Sequence, residues 1–68
     1  MTNRELLDKC IERSGLKLGY VAHALGVTRS TFRLKRTGRQ DFTEREMRAL
    51  ADILQLTTEE KVAIFFAG

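Results

Sequence analysis

The apolar residues between positions 18 and 32 follow a helical spacing that is interrupted once. The first group recurs at i, i+3, i+4 and i+7 and comprises Leu18, Val21, Ala22 and Leu25. A second apolar pattern runs from Val27 to Phe32, and Gly26 lies between the two groups. Because glycine accepts a positive φ without a Cβ clash, this pattern predicts two helices joined by a sharp turn.

Three further helices are predicted from capping signals that precede apolar residues at helical spacing. Thr-x-x-Glu capping boxes begin at Thr2, Thr43 and Thr57. Together with the first pair, they predict helices over about 3–13, 18–25, 28–36 or 37, 44–55 and a short terminal helix after Thr57. Gly15 and Gly38 follow the first and third helices and are expected to end them. The sequence therefore predicts an all-α fold of five helices without a sheet.

The helix pair carries a resemblance to a known family. An alanine, a turn glycine, a capping threonine and two apolar residues have the spacing of its motif, at Ala22, Gly26, Val27, Thr28 and Phe32. In these positions the chain resembles the helix-turn-helix of the lambda-repressor-like (Cro/repressor, XRE-like) DNA-binding family. The resemblance extends loosely from about Leu6 to the C-terminus. It implies a compact five-helix DNA-binding domain with the helix-turn-helix at helices 2 and 3.

Two positions depart from the family pattern. The place one turn after Phe32, where the family commonly has an aliphatic residue, is Arg36, and Leu34 lies where polar residues are usual. The end of helix three is left open between Arg36 and Thr37. The capped, charged start at Thr57 favours the all-helical repressor type over Cro, in which a C-terminal strand forms.

Length and composition favour a single domain over residues 1–68, because 68 residues with 43% hydrophobic content and no proline can form one small helical core. The N-terminus carries charges where a signal peptide needs an apolar run, and the apolar run 62–67 is too short to span a membrane. We therefore expect a soluble protein in the cytoplasm of a bacterial or phage-infected cell, with no membrane partner. The single Cys10 excludes an internal disulfide and is expected in the core.

Positive charge is concentrated in the predicted helix-turn-helix. The segment from Ser14 to Gln40 holds six basic residues and no acid, whereas the rest of the chain holds six basic residues and all nine acids. We call these six the basic block: Lys17, Arg29, Arg33, Lys35, Arg36 and Arg39. Such one-sided charge is typical of proteins that bind a polyanion, and double-stranded DNA is the expected partner.

If helix three begins directly after Thr28, it presents a polar and basic face opposite the inward Phe32. The N-terminal residues of the second helix of this motif reach base edges, where arginine can bond bidentately to guanine. The predicted base-contacting residues are Thr28, Arg29, Ser30, Arg33 and Leu34. For Leu34, contact with a thymine methyl and packing against the following loop are equal alternatives.

Residues on either side of helix three are expected to contact the sugar-phosphate backbone, which positions a protein without specifying sequence. They are Lys17, Tyr20, Thr37, Arg39 and Gln40. For Tyr20, and for His23 on the same helix, an ordinary partly exposed side chain is the favoured alternative.

Phe65 and Phe66 are adjacent and point about 100° apart on a helix, so both cannot be fully buried in so small a domain. One is expected to complete the core and the other to form a partner surface. We assign the pair to a predicted homodimer interface. The alternative is a monomer that dimerises only on DNA.

No constellation of residues indicates catalysis. The acid pairs Glu44/Glu46 and Glu59/Glu60 lie in first turns of helices, where they suit the positive end of the helix dipole, and His23 has no second ligand at metal spacing. We expect a protein that is not an enzyme, with no cofactor, metal or small-molecule ligand.

The leading functional hypothesis is a sequence-specific DNA-binding transcriptional regulator, and only the resemblance suggests a small repressor of phage or prophage type. The alternative is a helix-turn-helix scaffold that serves as a protein-interaction module, such as an antitoxin or adaptor.

Overall fold

The computed structural model describes residues 2–66, which form five helices. These are α1 (Arg4–Ser14), α2 (Leu18–Leu25), α3 (Arg29–Arg36), α4 (Glu44–Leu54) and α5 (Thr58–Phe65). No strand occurs within this range, and the predicted all-α, five-helix fold is confirmed. Helix bounds agree with the sequence-based ones to about one residue, because most helices carry their own start and stop signals.

The start of α1 differs from the prediction because its capping residue is Asn3. The Asn3 side chain accepts a hydrogen bond from the Leu6 amide over 3.2 Å, while the Asn3 amide donates to the Ile64 carbonyl of α5 over 2.7 Å. This contact with α5 holds Asn3 in an extended conformation just outside the helix. Asparagine is at least as good a cap as threonine. The predicted capping box of Thr2 and Glu5 is therefore wrong.

The other two capping boxes are confirmed. Thr43 and Glu46 exchange side-chain and backbone hydrogen bonds at the start of α4, and Thr57 and Glu60 do the same at the start of α5. Each box satisfies two amides that a helix start otherwise leaves unpaired. α4 ends one residue earlier than predicted, because Gln55 adopts a left-handed conformation with φ 53°.

The turn between α2 and α3 has the predicted geometry. Gly26 adopts φ 87°, and its amide donates to the carbonyls of Ala22 and His23. The amide of Val27 also returns to the Ala22 carbonyl, over 3.1 Å. Ala22 is buried, which lets the two helices approach closely at this position. The turn sets the angle at which α3 leaves the core.

The core contains side chains from all five helices and from the loop before α4. Its largest fully buried side chains are those of Leu7, Val21, Phe32, Leu50 and Ile64. The Phe42 ring lies between two others, with centroids 6.2 Å from Phe32 and 5.7 Å from Phe65. Full burial of one such side chain contributes about 1.5–3 kcal/mol, so this small core depends on each of them.

Phe65 is one of these core residues, and this corrects the predicted dimer interface. Its ring packs edge-on against Phe42 and is almost fully buried, whereas Phe66 is 64% exposed. The expectation that one of the two rings completes the core is confirmed. Phe65 has no exposed surface to offer a partner, so the predicted interface is reduced to Phe66.

Within residues 2–66, three ion pairs join different helices. Arg13 of α1 binds Glu60 of α5, Lys35 of α3 binds Glu46 of α4, and Arg36 of α3 binds Asp8 of α1. The last two fix the C-terminal half of α3 against its neighbours. Two of the six basic-block residues therefore serve the fold.

Candidate nucleic-acid interface

α3 begins at Arg29, directly after its capping residue Thr28. The Thr28 hydroxyl accepts from the Thr31 amide over 3.1 Å and donates to the Thr31 hydroxyl over 3.0 Å. The amide that this side-chain cap satisfies is that of Thr31. Thr28 is exposed, with its hydroxyl engaged at the helix start. The expectation that helix three begins directly after Thr28 is confirmed.

That register turns three polar side chains to solvent. Arg29, Ser30 and Arg33 are exposed on one side of α3, and Phe32 is buried on the opposite side. Neither arginine makes an ion pair with any residue between positions 2 and 66. Their guanidinium groups keep five donors each in a planar fork that matches guanine or phosphate acceptors. We call the surface formed by Arg29, Ser30 and Arg33 the reading face.

Arg29 lies across α2. A Cβ atom built on Gly19 would meet the Arg29 Nε at 3.4 Å and its Cζ at 3.5 Å, so the guanidinium rests over this glycine. Gly19 does not have a positive φ. Its role in this contact is that it has no side chain, so the Arg29 guanidinium can lie against the α2 backbone. The contact restricts the directions that the Arg29 side chain can take.

Leu18 belongs to the same surface, and the sequence reasoning missed it. It is 41% exposed and lines a depression of about 290 Å³ together with Arg29, Ser30 and Arg33. The helical spacing had placed Leu18 on the inward apolar side of α2. As the first residue of α2 it lies at the edge of that side, next to the start of α3.

Two basic-block residues form ion pairs with carboxylates of neighbouring helices. Lys35 is 9% exposed and binds Glu46, and Arg36 binds Asp8 over 2.8 Å. Burial opposes ionisation of Glu46, but hydrogen bonds from Lys35 and Thr43 and the charge of Lys35 outweigh it, so its pKa is lowered. The four basic-block residues that make no ion pair in residues 2–66 are Lys17, Arg29, Arg33 and Arg39.

The residues after α3 form a compact turn. The Leu34 carbonyl accepts from the amides of Arg39 and Gln40 over 2.9 and 3.1 Å, and the Thr37 hydroxyl donates to the Arg33 carbonyl over 2.8 Å. Leu34 is half-buried beside this turn, while Arg39 and Gln40 are exposed. The Thr37 hydroxyl proton is already engaged on its own helix, which leaves Arg39 and Gln40 as the more accessible phosphate candidates.

The phosphate candidates lie near the start of α2 and after the end of α3. Lys17 precedes α2 and makes no side-chain capping bond, and Tyr20 in the first turn of α2 is exposed. Arg39 and Gln40 follow the other end of α3. Arg39 lines a surface depression that also includes Ser30 and Arg33. The predicted contacts of all these residues with DNA stay predictions.

The chain's single cysteine, Cys10, lies in the core. The Cys10 thiol is buried, and this burial, with the nearby Glu60 carboxylate, raises its pKa. In residues 2–66 no three His, Cys, Asp or Glu side chains are placed to hold a metal ion. Within the same range no helix has the length and apolar character needed to cross a membrane.

Comparison with known proteins agrees with this geometry. A family model described as a helix-turn-helix domain matches residues 5–63, which is most of the chain. The chain belongs to this family of helix-turn-helix domains, and the resemblance drawn from Ala22, Gly26, Val27, Thr28 and Phe32 is confirmed. No curated protein and no solved structure matches the chain.

Proposed function

We propose that this protein is a sequence-specific transcriptional regulator that binds double-stranded DNA through α3. The observation that carries the proposal is the reading face, where Arg29, Ser30 and Arg33 stand exposed, without acidic neighbours on α3. The helix-turn-helix match over 5–63 supports the same conclusion. α3 enters the major groove, the reading face meets base edges, and Lys17 and Arg39 contact phosphates on either side.

The regulatory role rests on the family resemblance. In that role the protein is a small repressor of phage or prophage type, which occupies an operator and blocks access of polymerase. It works in the cytoplasm of a bacterial or phage-infected cell. No catalytic role is assigned to the acid pairs, since Glu46 and Glu60 are engaged in capping boxes and ion pairs.

A homodimer is the proposed DNA-binding form. Phe66 and Val62 are exposed and, with Met47, line a mainly apolar depression of about 340 Å³ between α4 and α5. Its rim carries charges of both signs, from Glu44, Arg48 and Lys61, which suits a two-fold copy of the same surface. Two α3 helices would then read two half-sites.

Selection of bound duplexes from a random pool tests the proposal. The expected result is enrichment of one motif with two-fold symmetry, which a symmetric dimer requires. Failure to enrich any sequence over the starting pool would contradict sequence-specific binding. Enrichment of an asymmetric motif would contradict the symmetric dimer but would still support sequence-specific DNA binding.

The dimer surface has its own test. Phe66→Ser should shift the protein to monomer in analytical ultracentrifugation, because it removes the exposed ring from the groove. Leu18→Ser is the matched control, since it removes an exposed apolar side chain near α3 and should leave the oligomeric state unchanged. A wild-type protein that is already monomeric without DNA would support dimerisation on DNA only.

One observation favours the alternative, a protein-interaction module such as an antitoxin or adaptor. Leu18 gives the surface beside the reading face an exposed apolar element, and a protein partner could use it together with the arginines. Such a partner would be acidic. The random-pool selection discriminates the two, because a scaffold of this kind enriches no DNA sequence.

A further inference from the structure

A second depression lies beside the reading face, between the start of α1 and the C-terminal half of α3. Its volume is about 770 Å³, the largest of the described surface depressions. We call it the α1–α3 trough. Four arginines line it, together with Ser30 and Thr37; they are Arg4, Arg33, Arg36 and Arg39. Arg33 and Ser30 belong to both surfaces, so the trough continues directly from the reading face.

The charge balance of the trough is strongly positive. Asp8 is the one carboxylate bonded to any of the four arginines within residues 2–66, and its short hydrogen bond, 2.8 Å, goes to Arg36. Arg4 is only 3.7 Å from Asp8 through its Nε, with 58% of its side chain exposed. An exposed pair at this distance contributes little, so the guanidinium of Arg4 can leave Asp8 for a stronger anion.

We propose that the α1–α3 trough carries the sugar-phosphate backbone of one DNA strand and that Arg4 is a phosphate contact supplied by α1. This inference rests on the proposed function, because a groove entered by α3 is walled by sugar-phosphate strands. A strand that runs past Arg33 enters the trough next, where Arg4 and Arg39 meet it. The protein then holds DNA with α1 as well as with the helix-turn-helix.

The number of arginines in the trough favours a strand over an isolated anion. A single phosphate needs one or two guanidinium groups, whereas four line this depression and one of them, Arg33, is also on the reading face. Successive phosphates along one strand match such a row of donors. Competition with inorganic phosphate distinguishes a DNA strand from an isolated anion as the ligand of the trough. If the trough binds a strand, phosphate should weaken DNA binding only through its effect on ionic strength.

The test compares Arg4→Ala with Lys9→Ala in salt titrations of binding to one duplex. Both variants remove one positive charge from α1, but Lys9 is exposed outside the trough lining and makes no ion pair in the described chain. Arg4→Ala should flatten the slope of log K against log salt by about 0.9 and weaken binding to all sequences alike. Lys9→Ala should keep the wild-type slope, and Arg4→Lys should restore most of it.

A second readout is independent of affinity. Ethylation of single phosphates on the selected duplex should identify one phosphate whose modification weakens the wild-type protein but not Arg4→Ala. Equal salt slopes for Arg4→Ala and Lys9→Ala, with the same ethylation pattern as wild type, would overturn the trough assignment. A wild-type protein without any salt slope would instead overturn the proposed function itself, so the two failures are distinguishable.

Discussion

Arg36 donates a hydrogen bond from its Nη1 to the Asp8 Oδ1 over 2.8 Å and thereby joins α3 to α1. Its side chain is only 15% exposed. The position one turn after Phe32, commonly aliphatic in lambda-repressor-like proteins, thus holds an arginine whose charge is matched by a carboxylate on the neighbouring helix. The same contact engages Arg36 within the protein, whereas Arg33 is exposed and makes no ion pair in residues 2–66.

Removal of this carboxylate should destabilise the fold. Asp8→Ala leaves the largely buried Arg36 without its hydrogen-bond partner, and because Asp8 itself is 40% exposed the expected cost is only about 1 kcal/mol. For a domain of this size that lowers Tm by roughly 4–8 °C in thermal unfolding.

Glu12→Ala is the matched control, since it removes an exposed acid from the same helix that makes no ion pair in the described chain. It should change stability by no more than about 0.5 kcal/mol. Equal Tm values for Asp8→Ala and Glu12→Ala would show that the Arg36 contact does not hold α3.

The turn at Gly26 should tolerate few residues. A Cβ at this position meets nothing within 4 Å, so the cost of substitution comes from the backbone conformation alone, φ 87°. A β-branched residue held there is strained by roughly 1–3 kcal/mol, and Gly26→Val should therefore lower Tm markedly. Gly26→Asn should lower it less, because asparagine tolerates this region, and Ser30→Ala should leave it near wild type. Similar Tm values for the valine and asparagine variants would refute the turn assignment.

Stability should depend on pH through Glu60. Hydrogen bonds from Arg13 and from the Thr57 amide hold the pKa of this carboxyl at about 2, below its ordinary 4.5. Because the folded-state pKa is depressed, the stabilisation is present above pH 4.5 and is lost as pH falls toward about 2. Tm should fall less steeply over this window in Glu60→Gln than in wild type. Glu59→Gln, which changes an exposed neighbour, should keep the wild-type pH dependence of Tm. A flatter pH dependence in Glu59→Gln than in Glu60→Gln would show that Glu60 is not the group responsible.

Features encoded by adjacent residues could be predicted from the sequence. The turn at Gly26 and the capping boxes of Thr43 and Thr57 depend on spacing within one or two turns, and each is confirmed. At α1 two good caps stand side by side, and the choice of Asn3 over Thr2 depends on a hydrogen bond to Ile64 at the other end of the chain. Local spacing contains no information on that contact.

In the candidate interface too, residues placed by local signals could be predicted and residues placed by packing between helices could not. Arg29, Ser30 and Arg33 were assigned from the start of α3, which a local cap determines. The ion pairs of Lys35 and Arg36 depend on acids in α4 and α1, which local spacing does not indicate. Arg4 and Leu18 join the site through packing of α1 and α2 beside α3, so charge clustering along the chain could not identify them.

Repeated selection from a random duplex pool with single variants tests whether α3 reads DNA sequence through Arg33. Arg33→Ala should lose preference at one base position per half-site, because a base-bonded arginine contributes roughly 1–3 kcal/mol of discrimination. Lys17→Ala is the control, which should bind more weakly but recover the wild-type motif, since a phosphate contact is indifferent to sequence. An unchanged motif with Arg33→Ala, at an affinity reduced no more than by Lys17→Ala, would show that Arg33 does not read a base.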